Sequence, residues 1–456
     1  MKRLAIISII FFMAILYAAP TPAEEPAGVP MLLAQATEAA PAEAEASPPT
    51  VDAGDTAWIL ACAALVMLMT PGLGLFYAGM ARRKNVLGTI MQSFVALGII
   101  TIQWVLFGYT LAFGPDIGHV IGGLKYFALS GVGLEPNADY AATIPHQLFM
   151  VFQMMFAIIT PALISGAIAE RIKFKAYLVF ITLWAIFVYD PLAHWVWGVG
   201  GWIREMGALD FAGGLVVHIS SGVSALAAAL VLGKRKGYGT ELMAPHNLTM
   251  TLIGAALLWF GWFGFNGGSA LGSGSLAVSA FVATHIASGA AAVSWMVVEW
   301  IHRGKPTALG IASGAVAGLV AITPACGFVG PMSSIIIGLA GGAVCYLAVS
   351  LKPKFGYDDS LDVVGVHAVG GTLGALLTGL FASTLVNPAG ADGLFFGNAA
   401  QLGTQALSVV AAWVYSFVVT WVILKILDAT MGLRVSEEDE SEGLDLSQHG
   451  ESGYVL

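Results

Sequence analysis

Long apolar runs, separated by short polar segments, fill the chain from about residue 57 to residue 426. Most of these runs approach the roughly 20 helical residues that cross the hydrocarbon core of a bilayer. There are eleven of them, at about 57–78, 86–113, 147–169, 177–192, 211–232, 247–265, 276–301, 308–322, 332–351, 363–381 and 402–426. The pattern predicts an all-α polytopic membrane protein with eleven transmembrane helices.

Basic residues are distributed unevenly between the runs. Thirteen lysines and arginines follow the odd-numbered runs, namely Arg82, Arg83, Lys84, Arg171, Lys173, Lys175, Lys234, Arg235, Lys236, Arg303, Lys305, Lys352 and Lys354. The intervening loops carry Lys125 and Arg204. Because basic loops tend to stay on the cytoplasmic side, this alternation predicts an N-terminus outside and a C-terminus in the cytoplasm.

A different pattern precedes the first run. Lys2 and Arg3 are followed by an apolar stretch of about residues 4–17 and then by small residues, which predicts a signal peptide over residues 1–23. A retained first helix is the alternative. Residues 24–54 are rich in Ala, Pro and Glu and predict a disordered linker. The membrane domain would then span 55–429, and 430–456 would form a cytoplasmic tail.

Two short motifs recur five runs apart. The tetrapeptide Ile-Thr-Pro-Ala occurs at residues 159–162 and again at 322–325, and the pattern Val-His-x3-Gly occurs at 217–222 and again at 366–371. Segments five runs apart cross the membrane in opposite directions. Inverted repeats of this kind are typical of transporters and place the pathway at the repeat interface. We therefore expect runs 1–5 and 6–10 to form an inverted five-helix repeat, followed by a final span.

The bulk composition agrees with a membrane protein. The 456 residues are 57% hydrophobic and 10% charged, whereas a soluble domain carries about 25% charged residues. Cys62, Cys326 and Cys345 are isolated in apolar runs and form neither a disulfide framework nor a zinc spacing. The loops show no nucleophile elbow or phosphate loop. We expect no cofactor, no metal and no enzymatic activity.

Few polar side chains that could perform chemistry fall inside the apolar runs. The acidic residues cluster near the ends of the runs, and examples are Glu170, Asp190, Asp210, Glu299 and Asp362. The polar side chains that remain deep in the bilayer are those of His218, His285, His367, Gln103 and Gln153. Titratable residues inside a membrane are functional candidates by default, although any single histidine can instead be a packing residue.

The repeat distinguishes two of the histidines from the third. His218 and His367 occupy matching positions and approach the middle of the membrane from opposite faces, so their imidazoles can meet. Neutral imidazoles each offer one hydrogen-bond donor and one acceptor and can pass a polar, uncharged molecule. His285 has no repeat partner, and we expect it to be structural.

Aromatic residues lie at the predicted outer ends of the runs. Phe152 and Phe156 are one helical turn apart, Phe265 ends the sixth run, and Trp197 precedes the fifth. Aromatic faces attract small cations, by up to about 2 kcal/mol when the pair is desolvated. An aromatic belt at the membrane interface is the alternative, and for any single ring it is the favoured interpretation. The rings alone leave both interpretations open.

Several longer segments are distinctive enough to point to a particular protein family. They are Asp-Phe-Ala-Gly-Gly-Leu-Val-Val-His at 210–218, Trp-Phe-Gly-Phe-Asn-Gly-Gly-Ser-Ala at 262–270, Gly-Val-His at 365–367, Ala-Glu-Arg-Ile at 169–172, and tail segments at 432–435, 442–445 and 449–451. Through them the chain, from about Asp55 to Tyr454, resembles the ammonium transporter family (Amt/Mep/Rh), in particular its bacterial Amt type. The acidic run at 437–440 alone suggests only a solvated segment.

The resemblance implies a role for each site residue. The outer ammonium site would be Trp197, Phe152 and Ser269, the gate Phe156 and Phe265, the pore His218 and His367, and the vestibule or its structural support Asp210, Trp262 and Gln153. The resemblance also implies a homotrimer in the inner (plasma) membrane, active in nitrogen uptake. A P-II family signalling protein would bind at its cytoplasmic face, and no nucleic acid is expected.

The cation-attracting rings at the mouth contrast with the uncharged interior. We therefore expect ammonium to be recognised outside as a cation and to cross as ammonia, with the proton transferred separately if at all. Two other classes stay open. One is a membrane haem protein with His218 and His367 as axial ligands, and the other is an ammonium sensor or receptor that conducts little.

Overall fold

The computed structural model describes residues 49–454, and within that range eleven helices form the membrane domain. They are α1 Ala53–Met80, α2 Arg83–Phe113, α3 His146–Ile168, α4 Phe174–Glu205 with a break at residues 198–201, α5 Gly214–Leu232, α6 Leu248–Gly268, α7 Ser275–Arg303, α8 Ala308–Ile322, α9 Pro331–Phe355, α10 Val364–Phe381 and α11 Ala399–Met431. Ten are long and apolar enough to cross a membrane, and α8 is shorter. The predicted fold class is confirmed. The predicted signal peptide and most of the linker lie outside the described residues.

The connections and the tail add short elements. Two antiparallel hairpins follow α2, formed by β1 Asp116–Ile117 with β2 Ile121–Gly122 and by β3 Pro136–Asn137 with β4 Ala141–Pro145. Single 3-10 turns lie at Leu124–Leu129 and Leu394–Phe396. After α11 come two short helices, α12 Glu437–Glu442 and α13 Leu444–His449.

The repeat halves meet closely through small residues. α1 packs along its repeat counterpart α6 more extensively than any other pair of helices in the described part of the chain. A Cβ added to Gly254 of α6 would lie 2.3 Å from the backbone nitrogen of Phe76, and one added to Gly261 would lie 2.2 Å from Cγ of Met69. Glycine is therefore required at these contacts, where it lets two membrane helices approach each other closely.

The repeated Val-His-x3-Gly motifs have matching local structure. α5 begins with a π-helical turn, Gly214–Ile219, and α10 begins with another, Val364–Ala368, and each turn contains the histidine of its motif. The motif glycines then pack across the repeat interface. A Cβ on Gly222 would lie 2.1 Å from the Ala368 nitrogen, and one on Gly371 would lie 2.9 Å from Cβ of His218. The sequence repeat thus corresponds to two helices that cross at their histidines.

A buried charge network ties together the end of the molecule that carries the predicted cytoplasmic loops, which we call the basic end. Glu170 accepts hydrogen bonds from Nε of Arg82 at 2.7 Å and from a terminal guanidinium nitrogen of Arg235 at 3.3 Å. Arg235 also pairs with Asp358 at 2.9 Å. Burial alone would raise the pKa of Glu170, but the two guanidinium groups and the Arg82 backbone N–H outweigh it and hold that pKa below its usual value.

Replacing Glu170 by glutamine should lower stability by about 3 kcal/mol at neutral pH, because it leaves two buried guanidinium groups without their shared anion. Since the folded-state pKa of Glu170 is depressed, its contribution is present above the unfolded pKa of about 4.3 and is lost as pH falls further. Thermal unfolding of both proteins in detergent from pH 8 down to about pH 2 measures this loss. A difference in stability between the two proteins that stays constant far below pH 4 would contradict the ionic role.

The tail packs against the basic end, which corrects the expectation of a solvated acidic segment for Glu440, while Glu437 and Glu438 of the same run are exposed. Glu440 is 1% exposed, accepts a hydrogen bond from the Lys236 backbone N–H at 2.6 Å and pairs with Arg434 at 2.7 Å. Asp445 accepts a hydrogen bond from the backbone N–H of Gly88 at 2.8 Å. Sequence reasoning missed this docking because the partners lie in loops far away along the chain.

A second correction concerns Asp190, which was expected near the end of a run. It lies inside the continuous helical stretch that ends at Trp197 and is fully buried, because α4 extends well beyond the predicted residue 192. Its carboxyl group accepts a hydrogen bond from the Gln103 side chain on α2 at 2.6 Å. Gln103 is thus a structural partner of Asp190 and lines none of the cavities described below.

Candidate functional site

Three cavities follow one another between the helices: two phenylalanine rings in contact separate the first from the second, and the second shares wall residues with the third. The first, the vestibule cavity, has a volume of about 210 Å³. It is lined by Phe113, Asp139, Tyr140, Phe149, Gln153, Phe156, Val196, Trp197, Arg204, Phe211, Ser269 and Leu271. It therefore lies at the end of the molecule opposite the basic end, between α3, α4, α6 and the β3–β4 hairpin.

Two phenylalanine rings separate the vestibule cavity from the next cavity. Phe156 lines the vestibule and Phe265 lines the cavity behind it. Their ring centroids are 4.3 Å apart, and each side chain is 1% exposed. The two residues predicted to form the gate are therefore in contact and close the passage in this conformation.

The second cavity, the histidine cavity, is narrow and almost entirely apolar. Its volume is about 10 Å³, which is about the least that holds one water molecule. It is lined by Met69, Leu73, Phe76, Ile159, Leu163, Val217, His218, Leu258, Trp262, Phe265, Val316 and His367. The two histidines supply its ionisable groups, and no carboxylate lies in this wall.

The structure brings the paired histidines into contact. The Nδ1 atoms of His218 and His367 are 3.2 Å apart, while Nε2 of His218 is buried without a protein partner. A hydrogen bond between two Nδ1 atoms needs the proton on one ring only, so the rings are opposite tautomers when both are neutral. The His218 ring also stacks on Trp262, with centroids 5.5 Å apart. The pair therefore offers both a donor and an acceptor in an otherwise apolar passage.

The third cavity continues toward the basic end. It has a volume of about 30 Å³ and shares Phe76, Val316 and His367 with the histidine cavity. Its wall also includes Ser313 and Asp362. The shared residues connect the second and third cavities, and the contact between Phe156 and Phe265 links the second to the vestibule cavity. The three cavities therefore form a series whose smallest member lies at the histidines.

Ser269 and Trp197 face the vestibule with defined hydrogen bonds. The Ser269 hydroxyl donates to the Phe265 carbonyl at 2.8 Å, which leaves its oxygen lone pairs free to accept. The Trp197 indole N–H donates to the Asp210 carbonyl at 2.9 Å, and its ring lies edge-on to Phe156 with centroids 6.0 Å apart. A small cation in the vestibule thus meets aromatic rings and one hydroxyl acceptor.

Asp210 acts as a backbone cap. Its two carboxylate oxygens accept hydrogen bonds from the N–H groups of Gly213, Gly214, Leu215 and Val216 at 2.5–3.3 Å. Gly213 has a φ of +113°, which favours glycine. Asp210 is thereby occupied in fixing the first turn of α5, which carries His218, and it lines none of the three cavities.

A sequence profile described as the Ammonium Transporter Family matches residues 57–454. The chain belongs to this family. An ammonium transporter of Bacillus subtilis (strain 168) is 59% identical over 402 residues, which cover 88% of this chain and 98% of that protein. Ammonium transporter Amt1 of Archaeoglobus fulgidus is 51% identical, over 88% of this chain and 99% of that protein. The crystal structure of Saccharomyces cerevisiae Mep2 matches with a TM-score of 0.80 at 38% identity, over 85% of this chain and 88% of that one. Ammonium transport across a membrane is therefore the function of this chain.

Two residues of this ammonium transporter, Phe152 of the predicted outer site and Trp262 of the predicted vestibule support, do not line the vestibule cavity, and their roles stay predictions. Phe152 is fully buried and is not among the residues that line the vestibule. Its ring lies against Gly268, at 2.8 Å from where a Cβ would be, so it fills space that a larger residue at position 268 would need. Trp262 was expected to support the vestibule, but it lines the histidine cavity and donates a hydrogen bond to Thr323 at 2.9 Å. Gln153 lies on the vestibule wall as expected.

The transporter vestibule also contains residues that sequence reasoning did not assign to it. Asp139, Tyr140 and Arg204 line it, and they come from the β3–β4 hairpin and from the end of α4. Arg204 entered the sequence argument only as a basic loop residue. No spacing rule links these segments, since they meet only once the helices are packed.

Proposed function

We propose that the protein binds ammonium in the vestibule cavity, that the ion gives up its proton to solvent in the vestibule before the Phe156–Phe265 gate, and that the resulting ammonia passes His218 and His367. The observation that carries this proposal is the change in the pathway from an open cavity of about 210 Å³ to an uncharged passage of about 10 Å³. Ammonium and ammonia differ by one proton. The open cavity suits the ammonium ion, and the narrow uncharged passage suits ammonia.

The energetics favour ammonia in the narrow part. An unpaired ion pays a desolvation cost of many kcal/mol on entering an apolar environment, whereas a small neutral polar molecule pays only a few. Ammonium has four N–H donors and no acceptor, while ammonia has a lone pair that can accept a hydrogen bond. A pair of opposite imidazole tautomers can both donate to this lone pair and accept from an ammonia N–H.

Flux in proteoliposomes tests the proposal. An inward ammonium gradient should make the lumen alkaline faster than in protein-free liposomes, because ammonia that arrives takes up a proton inside. Net transfer of the ion, whether intact or as ammonia and a separate proton, would instead give a current without that alkalinisation. Absence of any flux would favour the sensor alternative. Recording current together with lumen pH therefore shows whether the proton crosses with ammonia or stays outside.

Ser269→Ala tests recognition at the vestibule. Removing one hydrogen bond to a charged ligand should raise the KM for ammonium by about 10-fold, with a smaller effect on the maximal rate. Initial rates over a range of ammonium concentrations give both constants. Ser273→Ala, which removes a hydroxyl that bonds Asp55 and lines none of the pathway cavities, serves as the control. Equal KM values for the Ser269 variant and the parent protein would contradict this role.

The spacing of the two imidazoles and the size of the passage beside them disfavour the haem alternative. A metal held between two imidazole nitrogens needs them about 4 Å apart, twice a metal–nitrogen bond of about 2 Å. The facing nitrogens of His218 and His367 are 3.2 Å apart. The passage beside them, at about 10 Å³, is also far smaller than a porphyrin. A Soret band in the purified protein would overturn this argument.

We further propose the assembly that the family resemblance implies: a homotrimer in the plasma membrane, with the vestibule outside, the basic end in the cytoplasm and a P-II family protein at that end. The basic loops support the orientation. The position of His285 supports the proposed oligomer. This residue is exposed on α7 within a membrane-spanning stretch, and its ring centroid is 5.4 Å from that of Trp259. A polar ring facing lipid is costly, and a second subunit would cover it.

A further inference from the structure

The vestibule cavity carries a fixed positive charge on its wall. Arg204 lies in the short helical segment Trp202–Glu205 that ends α4, and it lines the same cavity as Trp197 and Ser269. It is the one lysine or arginine among the residues of that wall. Two like charges in one cavity repel each other, so Arg204 weakens the binding of any cation there. In a cavity that binds a cation, Arg204 must therefore also make a contribution that favours binding.

A hydrogen bond supplies that contribution. A terminal guanidinium nitrogen of Arg204 donates to the backbone carbonyl of Trp197 at 2.6 Å. Trp197 is the last residue before the break at 198–201, so its backbone is no longer held by a continuing helix. The Arg204 hydrogen bond and the indole bond to Asp210 together fix the ring in place. Arg204 thus orients the aromatic face that meets the cation.

The vestibule wall also carries an opposite charge. Asp139, in the β3–β4 hairpin, is exposed and lines the same cavity. On the same wall, the Tyr140 hydroxyl donates to the Phe113 carbonyl at 3.0 Å and accepts from the Val199 N–H at 3.2 Å. Burial raises the pKa of Tyr140 to about 12, and the charges of Arg204 and Asp139 act on that hydroxyl with opposite signs. The charges of Arg204 and Asp139 therefore both act on the part of the vestibule where the Tyr140 hydroxyl lies.

We propose that Arg204 sets the affinity of the vestibule through two opposing effects: its hydrogen bond to Trp197 strengthens cation binding, and its charge weakens it. Asp139 partly offsets the charge. This inference rests on the proposed role of the vestibule as the ammonium entry site. The electrostatic effect is the same for ammonium and for K⁺, so Arg204 changes affinity without changing preference. Preference then depends on contacts such as the Ser269 hydroxyl, which K⁺ cannot use as a hydrogen-bond acceptor.

Three substitutions separate the two effects in a proteoliposome flux assay at low ionic strength. Arg204→Gln keeps an N–H donor and removes the charge, so the KM for ammonium should fall about 2- to 5-fold. Arg204→Met removes both, so its KM should be higher than that of the glutamine variant. Asp139→Asn should raise KM by about 2- to 5-fold. The shifts caused by charge should shrink in 0.3 M salt because of screening.

Controls distinguish this inference from the function on which it rests. Arg83→Gln removes the same charge from an exposed position at the basic end and should leave KM unchanged. The inhibition constant of K⁺ should fall in Arg204→Gln by the same factor as KM. A parent protein that transports ammonium, with KM unaltered in both Arg204→Gln and Asp139→Asn, overturns the inference and leaves the proposed function standing. A changed ratio of K⁺ inhibition to KM also overturns it. A parent protein without flux overturns both.

Discussion

Replacing His218 by alanine is expected to lower ammonium flux by about 10- to 100-fold. The reason is that the histidine cavity would lose a hydrogen-bonding partner for ammonia, which is worth about 1–3 kcal/mol when the group left behind is buried. The remaining imidazole of His367 would also lose its contact at 3.2 Å. Alkalinisation of proteoliposome lumens, normalised to the amount of folded protein incorporated, measures the effect.

His302 offers a matched control for this substitution. It also makes a hydrogen bond, to Tyr346 at 2.7 Å, but it lies at the end of α7 and lines none of the three cavities. His302→Ala should therefore transport like the parent protein. Equal flux in His218→Ala and His302→Ala, with both folded, would show that ammonia does not pass the histidine pair.

Replacing Gly222 by alanine should strongly destabilise the protein. The added Cβ would lie 2.1 Å from the backbone nitrogen of Ala368, and backbone cannot move aside as a flexible side chain can. Overpacking a close helix contact costs about 3 kcal/mol or more when the obstacle is rigid. Because α5 and α10 cross at this point, the substitution should also separate the two imidazoles and reduce flux in any protein that folds.

Gly289 gives the corresponding control, since a Cβ there would meet nothing within 4 Å. Gly289→Ala should melt at the same temperature as the parent protein or slightly higher, because alanine favours the helix by roughly 1 kcal/mol over glycine. Thermal unfolding in detergent compares the three proteins. A Gly222→Ala variant as stable as Gly289→Ala would show that the crossing of the histidine helices is looser than described.

The apolar periodicity and the internal repeat were sufficient to predict most of the fold. Eleven runs predicted the eleven helices of the membrane domain, and the repeat predicted that His218 and His367 meet, because both observations follow from local sequence. Helix ends were less predictable. The fourth run was expected to stop near residue 192, whereas α4 continues as one helical stretch to Trp197 and buries Asp190.

The parts of the site that could not be predicted depend on packing between distant segments. Whether Phe152 faces the vestibule depends on the missing side chain of Gly268, more than a hundred residues away. The burial of Glu440 depends on the Lys236 loop. Arg204 and Asp139 face the same cavity only because the β3–β4 hairpin folds over the end of α4. None of these relations leaves a periodicity or a spacing in the sequence.

A reversible block of the pathway tests the central claim most directly. Ser313 lines the cavity on the basic side of the histidines and is partly accessible, while the native Cys62, Cys326 and Cys345 are buried. Ser313→Cys in proteoliposomes should transport normally, fall to the level of protein-free liposomes after reaction with a methanethiosulfonate at the basic end, and recover on reduction. Thr240→Cys, in an exposed loop at the same end, should be unaffected. Undiminished flux through fully modified Ser313→Cys would mean that ammonia takes another route.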